Sequence, residues 1–170
     1  MSGDLGTPLD PWFTTSPRVD TVLRAVVDRQ GMSDPTAHHV GVTVSDLDRA
    51  VTFYTDTFDL DIAAEFSVGG EAFADAVDVE GASATFAHLD AGDAVIELVK
   101  YDPAGESLPA PDLNRSGTIH LGLSVDDVDA FYTDLDESVE TLSPPRTTAS
   151  GTTICFIRDP EGNLIEVLDA

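Results

Sequence analysis

The sequence predicts an α+β fold assembled from two copies of one strand–helix–strands unit. Three observations predict it. His39 to Asp48 reads HVGVTVSDLD and His120 to Asp129 reads HLGLSVDDVD, identical at His, Gly, Val, Asp and Asp and conservative at four of the other five positions. Both runs pass into a helical pattern, DRAVTFYTDTF in the first and DAFYTDLDE in the second. Both copies then end on an apolar strand with a glutamate inside it, AVIELVKY and NLIEVLDA. A match at fixed offsets across so many positions marks an internal repeat.

Residues 1–34 precede the repeat, and Val19, Val22, Leu23, Val26 and Val27 fall at helical spacing within them. This predicts an amphipathic helix over Pro17–Gln30 packed outside the core. The first copy occupies residues 35–101. Its opening strand gives way at Ser45 or Asp46, either of which can cap a helix through Phe58 with Leu47, Ala50, Val51 and Tyr54 on one face. Strands follow near Asp61–Phe66, Ala82–Leu89 and Ala94–Tyr101, with VGGEAFADAVDVEG between the first two as a mobile loop hinged at Gly69-Gly70. Residues 102–116 are rich in Pro and Gly and read as a surface linker. The second copy, residues 117–170, has a helix near Asp127–Leu135 and strands near Thr152–Arg158 and Asn163–Leu168, joined by the turn Asp159-Pro-Glu-Gly-Asn163.

Strand alternation sorts the side chains of each opening strand. His38, Val40, Val42 and Val44 share the face expected to pack inward, and His39, Gly41 and Thr43 share the other. The second copy repeats the division, with Ile119, Leu121, Leu123 and Val125 against His120, Gly122 and Ser124. His39 therefore corresponds to His120, whereas His38 aligns with Ile119 and reads as a packing residue. Glu97 and Glu166, each flanked by Val, Ile and Leu, are costly to bury unpaired. Two histidines and two glutamates at corresponding places form a metal-site constellation, and their nitrogen and oxygen donors suit Zn, Ni, Co, Mn or Fe(II). Tyr54 and Tyr132 follow the helix patterns and read as core. Phe66, Phe73 and Phe86 can shape an apolar pocket, and His88 is left unassigned.

The charge balance narrows the partners. There are 32 acids and 8 bases among 170 residues, a formal net charge of -24, with the acids spread along the chain. Such a field disfavours nucleic acid and anionic membranes and suits a folded protein adapted to high salt. No apolar run is long enough for a membrane span, and MSGDLGTPLDPWF lacks the pattern of a secretory signal. The single cysteine, Cys155, lies in the apolar run TTICFI, fits a packed thiol and excludes an internal disulfide, so a cytoplasmic location is expected.

The segments HVGVTVSDLDRAVTFY, GDAVIELVKY, GTIHLGLSVDDVDAFY and FIRDPEGNLIEVLD resemble the vicinal oxygen chelate superfamily, over residues 36–170. That group includes glyoxalase I, methylmalonyl-CoA epimerase, extradiol dioxygenases and the fosfomycin- and bleomycin-resistance proteins. The resemblance implies two βαβββ modules whose sheets pair edge to edge and curl into a cup around one divalent metal. It implies His39, Glu97, His120 and Glu166 as ligands, a small-molecule substrate, and no cofactor beyond the metal. Relatives close the cup either within one chain or across a homodimer, and both arrangements use the same four positions.

A two-His, two-carboxylate set is similar to that of the isomerase and lyase branch, which removes a proton next to a carbonyl and holds the enediolate or enolate at the metal. By that similarity Glu166 is the base and Glu97 its opposite partner. Two other readings follow from the same resemblance: an Fe(II) or Mn(II) dioxygenase, which needs O₂ and can dispense with one glutamate, and a binding protein that uses the cup without turnover. The first strand carries Thr43 where glyoxalase I tends to have arginine. Lys100, Arg115, Arg146 and Arg158 are the only bases in or after the last strand of the first copy, few for a strongly acidic cosubstrate.

Because self-repulsion of a -24 chain is screened by salt, thermal unfolding should shift upward as KCl rises from low to molar concentration. A melting temperature that is flat or falling across that series contradicts the high-salt reading.

Overall fold

The computed structural model describes residues 35–169. All of its elements lie in one compact unit, Ala37–Ala170. The helix expected over Pro17–Gln30 lies outside the described residues. In order, the chain forms β1 (Val40–Thr43), α1 (Leu47–Phe58), β2 (Asp61–Gly69), α2 (Glu71–Val77), β3 (Ser83–Asp90), β4 (Val95–Asp102), β5 (His120–Ser124), α3 (Val128–Asp134), β6 (Arg146–Thr147), β7 (Thr153–Arg158) and β8 (Leu164–Asp169).

These elements make two four-stranded mixed sheets of like topology, β1-β4-β3-β2 and β5-β8-β7-β6. In each, the opening strand runs parallel to the closing one, Val40 opposite Ile96 in the first and His120 opposite Leu164 in the second. The remaining pairs are antiparallel. This is the α+β arrangement of two βαβββ modules that the resemblance implied. Among the described residues, ladder pairing stays within each sheet.

Local chemistry sets the helices. Asp46 caps α1, its carboxylate accepting the N–H of Arg49, and Asp59 ends the helix in the left-handed region with φ of 54°. Asp127 caps α3 in the same way through Ala130. The segment read as a mobile loop is instead ordered: Gly70 turns the chain at φ of 96°, and α2 follows at once. Its Phe73 stacks on Tyr101 and meets Phe86 edge-on. Ala-rich EAFADAV has the propensity for a helix, and Phe73 supplies the contact that docks it. The two-residue β6 is too short to leave a periodic signal.

One core serves both modules. Val42, Val44, Leu47, Ala50, Tyr54, Leu89 and Leu98 from the first pack with Val128, Cys155, Ile157, Ile165 and Val167 from the second. Phe58 on α1 stacks on Phe131 of α3 with ring centroids 5.4 Å apart. Each fully buried Leu, Ile or Val contributes about 1.5–3 kcal/mol relative to exposure, so the modules are held together by the same burial that folds each of them. Burial pushes the Cys155 thiol pKa up, consistent with a packed thiol.

The expected facing of His38 is corrected here. Val42 and Val44 are buried as alternation requires, but β1 begins at Val40, and His38 lies ahead of it and exposed. Its counterpart Ile119 is 76% exposed, also ahead of its strand. Neither residue lies in the pleated ladder, and Val40, the first residue of β1, is itself 44% exposed, so the core does not reach this end of the face.

Asp159, buried at 4% exposure, ties the modules by hydrogen bonds. Its carboxylate accepts the Tyr54 hydroxyl at 3.2 Å, the N–H groups of Glu161 and Asn163, and the Asn163 side-chain amide. Burial, with the nearby Asp159 carboxylate, raises the Tyr54 pKa well above its ordinary value. The sign follows from linkage: a raised folded pKa gives stability that is full below the ordinary tyrosine value of about 10 and is lost as pH rises beyond it. Tyr54→Phe should therefore cost about 0.5–1.5 kcal/mol at neutral pH. The gap between wild type and variant in urea unfolding should close above pH of about 10, and an unchanged gap there would refute the linkage.

Candidate active site

Strand register brings the candidate residues together in pairs. Gly41 lies opposite Glu97, and Gly122 lies opposite Glu166. A Cβ at Gly41 would sit 3.7 Å from Glu97 Oε1, so the glycine leaves that side of the carboxylate open. His39, just ahead of β1, comes within 3.5 Å of Glu97 Oε1 through Nε2. His120, the first residue of β5, comes within 3.3 Å of Glu166 Oε2 through Nε2. The two modules thus build the same histidine–glutamate pair twice.

Two further histidines stand at the first pair. His88 on β3 is opposite Glu97 in the ladder, and its Nε2 lies 2.7 Å from Glu97 Oε2. His38 Nδ1 lies 2.8 Å from His39 Nδ1, a separation that requires one ring to donate to the other. Sequence reasoning left His88 unassigned, yet the signal was there: His88 alternates with Phe86 and Ala84 along one strand, all on the face that carries Glu97. His38, read as a packing residue, instead supports His39.

Beside the Glu97 pair the same face carries an aromatic wall. Phe66 stacks on Phe86 at 4.9 Å and meets His88 edge-on at 5.1 Å. Ala84, Phe86 and Val99 form a small buried cluster beneath Phe73 and Tyr101. A cavity of about 640 Å³ runs between β1 and β5, lined among others by Gly41, Thr43, Lys100, Tyr101, Ile119 and His120. At its mouth the Glu161 carboxylate accepts the Ser45 N–H at 3.1 Å, the Ser45 hydroxyl at 2.9 Å and the Asp46 N–H at 3.3 Å, joining the second module to the start of α1. Of the bases, Arg158 is structural: it donates to the Gly162 and Pro111 carbonyls and pairs with Glu140 at 3.1 Å. Arg115 and Arg146 are exposed.

The donor chemistry fits a divalent metal, since each pair offers an imidazole nitrogen and a carboxylate oxygen. Two protein ligands are fewer than the three or four such an ion takes. Among the described residues no group of three or more His, Cys, Asp or Glu side chains is disposed to hold one ion. Each module carries one histidine–glutamate pair.

Twin βαβββ modules with a histidine–glutamate pair on each define the class of protein to which the chain belongs. Residues 36–167 match the model of the Glyoxalase/Bleomycin resistance protein/Dioxygenase superfamily, and the chain belongs to it. It is 32% identical over 120 residues to a 2-epi-5-epi-valiolone epimerase of an Actinomyces species, an alignment covering 67% of this chain and 66% of that protein. The chain thus matches just under two thirds of that curated relative's length. A glyoxalase family protein of Bacillus cereus superposes with a TM-score of 0.73 at 20% identity, covering 82% of this chain and 97% of the other. The trypanothione-dependent glyoxalase I of Leishmania major gives 0.55 at 23% identity, covering 80% and 87%. At such identities these structures establish the shared fold. Among the described residues no helix is long and apolar enough to cross a membrane.

Proposed function

We propose that the protein is a metal-dependent isomerase or lyase that removes a proton from the carbon next to a carbonyl of a small molecule. The observation that carries this reading is the duplicated pair, His39 with Glu97 and His120 with Glu166. The 2-epi-5-epi-valiolone epimerase to which the chain is similar supports it, because epimerisation beside a carbonyl is the same proton transfer followed by return on the other face. His39, Glu97, His120 and Glu166 would hold one divalent ion, and when bound it supplies Lewis-acid polarisation of the carbonyl.

The chain's own residues do the rest. Glu166 takes the proton, a positioned base being worth roughly 10²–10⁴-fold in rate, and Glu97 stands as its opposite partner. Phe66, Phe86 and Tyr101 exclude water beside the Glu97 pair and offer a flat apolar surface to the substrate skeleton. Since one chain holds two half-sites, the centre forms in a homodimer, the first module of each chain meeting the second module of its partner.

The dimer makes the reading testable without a known substrate. Zinc content would be measured for wild type, His39→Ala, His120→Ala and the two variants co-expressed with different tags. Wild type should bind zinc and each variant much less. The mixed dimer should regain one ion, because one of its two sites combines an intact first module with an intact second. A mixed dimer no better than its parents, or zinc-free wild type, overturns the proposal.

A further inference from the structure

The two half-sites match in topology, in the paired glycine, and in the histidine–glutamate pair, but differ at the ladder position opposite the glutamate. Opposite Glu97 on the neighbouring strand stands His88. Opposite Glu166, at the equivalent position, stands Phe156. We propose that His88 is a positioning residue that locks the Glu97 carboxylate, so that Glu97 is a fixed ligand while Glu166 is free to move. The proposal rests on the reading of Glu97 as a metal ligand.

His88 is placed to do this and little else. Its Nε2 lies 2.7 Å from Glu97 Oε2, and its side chain and that of Glu97 are 18% and 14% exposed, so water competes weakly for the bond. Its ring is fixed edge-on against Phe66 at 5.1 Å. With Oε2 engaged by the imidazole N–H, only Oε1 remains free, and that oxygen is the one facing His39 Nε2. A hydrogen bond from outside the ligand set orients a ligand and raises metal affinity, typically by 10–100-fold.

Phe156 cannot donate. It packs edge-on against His120 with centroids 5.4 Å apart, and Glu166 is 24% exposed. Glu166 thus keeps its place near His120 without a donor on Oε2 from the neighbouring strand. A carboxylate that must swing between holding an ion and carrying a proton needs that freedom, and a lock like His88 would remove it. The asymmetry therefore separates the roles of two glutamates that the repeat makes look alike.

The test compares wild type, His88→Phe and His88→Gln. The first variant copies the second module's arrangement, and the second retains an amide donor. Zinc affinity, the melting temperature of the metal-free protein, and the ¹⁵N signals of histidine in the metal-free protein would be measured. The expected result is a 10–100-fold loss of affinity in His88→Phe, most of it regained in His88→Gln, with similar melting temperatures for all three. The His88 ring should show a protonated Nε2 before any metal is added. Unchanged affinity in His88→Phe, a loss that glutamine does not rescue, or an unprotonated Nε2 overturns the role of His88 alone. Wild type that binds no zinc while His88 shows a protonated Nε2 overturns the metal reading instead, and the lock with it.

Discussion

Parallel pairing of the first strand of each module with its last is the constraint on which the site depends. It sets Gly41 beside Glu97 and Gly122 beside Glu166, residues far apart in sequence that no local signal could align. Had either register slipped by one residue, the glutamate would have turned into the shared core, where an unpaired carboxylate costs several kcal/mol. The cost of that error holds the register, and the register holds the chemistry. Gly41 completes the first pair by leaving room beside the Glu97 carboxylate, on the side where His39 approaches.

The second constraint is the core that the two modules share. Because residues of both copies bury one another, the half-sites cannot be separated without exposing Tyr54, Val128 and Ile157, each fully buried. Polar contacts follow the same division. Asp159 receives the Tyr54 hydroxyl inside the protein, and Glu161, two residues on, receives Ser45 and Asp46 at its surface. A five-residue turn in the second module thus anchors the helix of the first at both its middle and its beginning. That leaves the edges of β1 and β5 turned to the cavity between them, and under the proposed function those are the edges a second chain would use.

How much of this the sequence displayed depends on the range of each interaction. The repeat, the two long strands of each apolar run and the helices after the Asp caps were legible because alternation and capping act within a few residues. The two histidine–glutamate pairs were legible because duplication doubled a signal that would be weak alone. His38 was misread because alternation was extended beyond the end of the ladder. His88 was passed over because its meaning lies in a register with Glu97, and α2 because its docking depends on Phe73 reaching Phe86 and Tyr101. Asp159 and Glu161 looked like turn residues, and they are, but their partners lie more than a hundred positions away.

Duplication also has a chemical drawback that the His88–Phe156 difference addresses. Two identical half-sites would present two equivalent glutamates, and a proton removed by one could be returned by either. The difference opposite the two glutamates makes the two faces of the site unequal. A single substitution on a neighbouring strand achieves this at no cost to the ladder, since neither His nor Phe disturbs backbone pairing. The aromatic wall of Phe66, Phe86 and Tyr101 stands on the His88 side, whereas Phe156 is the ring that meets His120 on the other. Under the proposed function, the substrate's apolar skeleton therefore lies toward the fixed glutamate, and the carbon that loses its proton lies toward the free one.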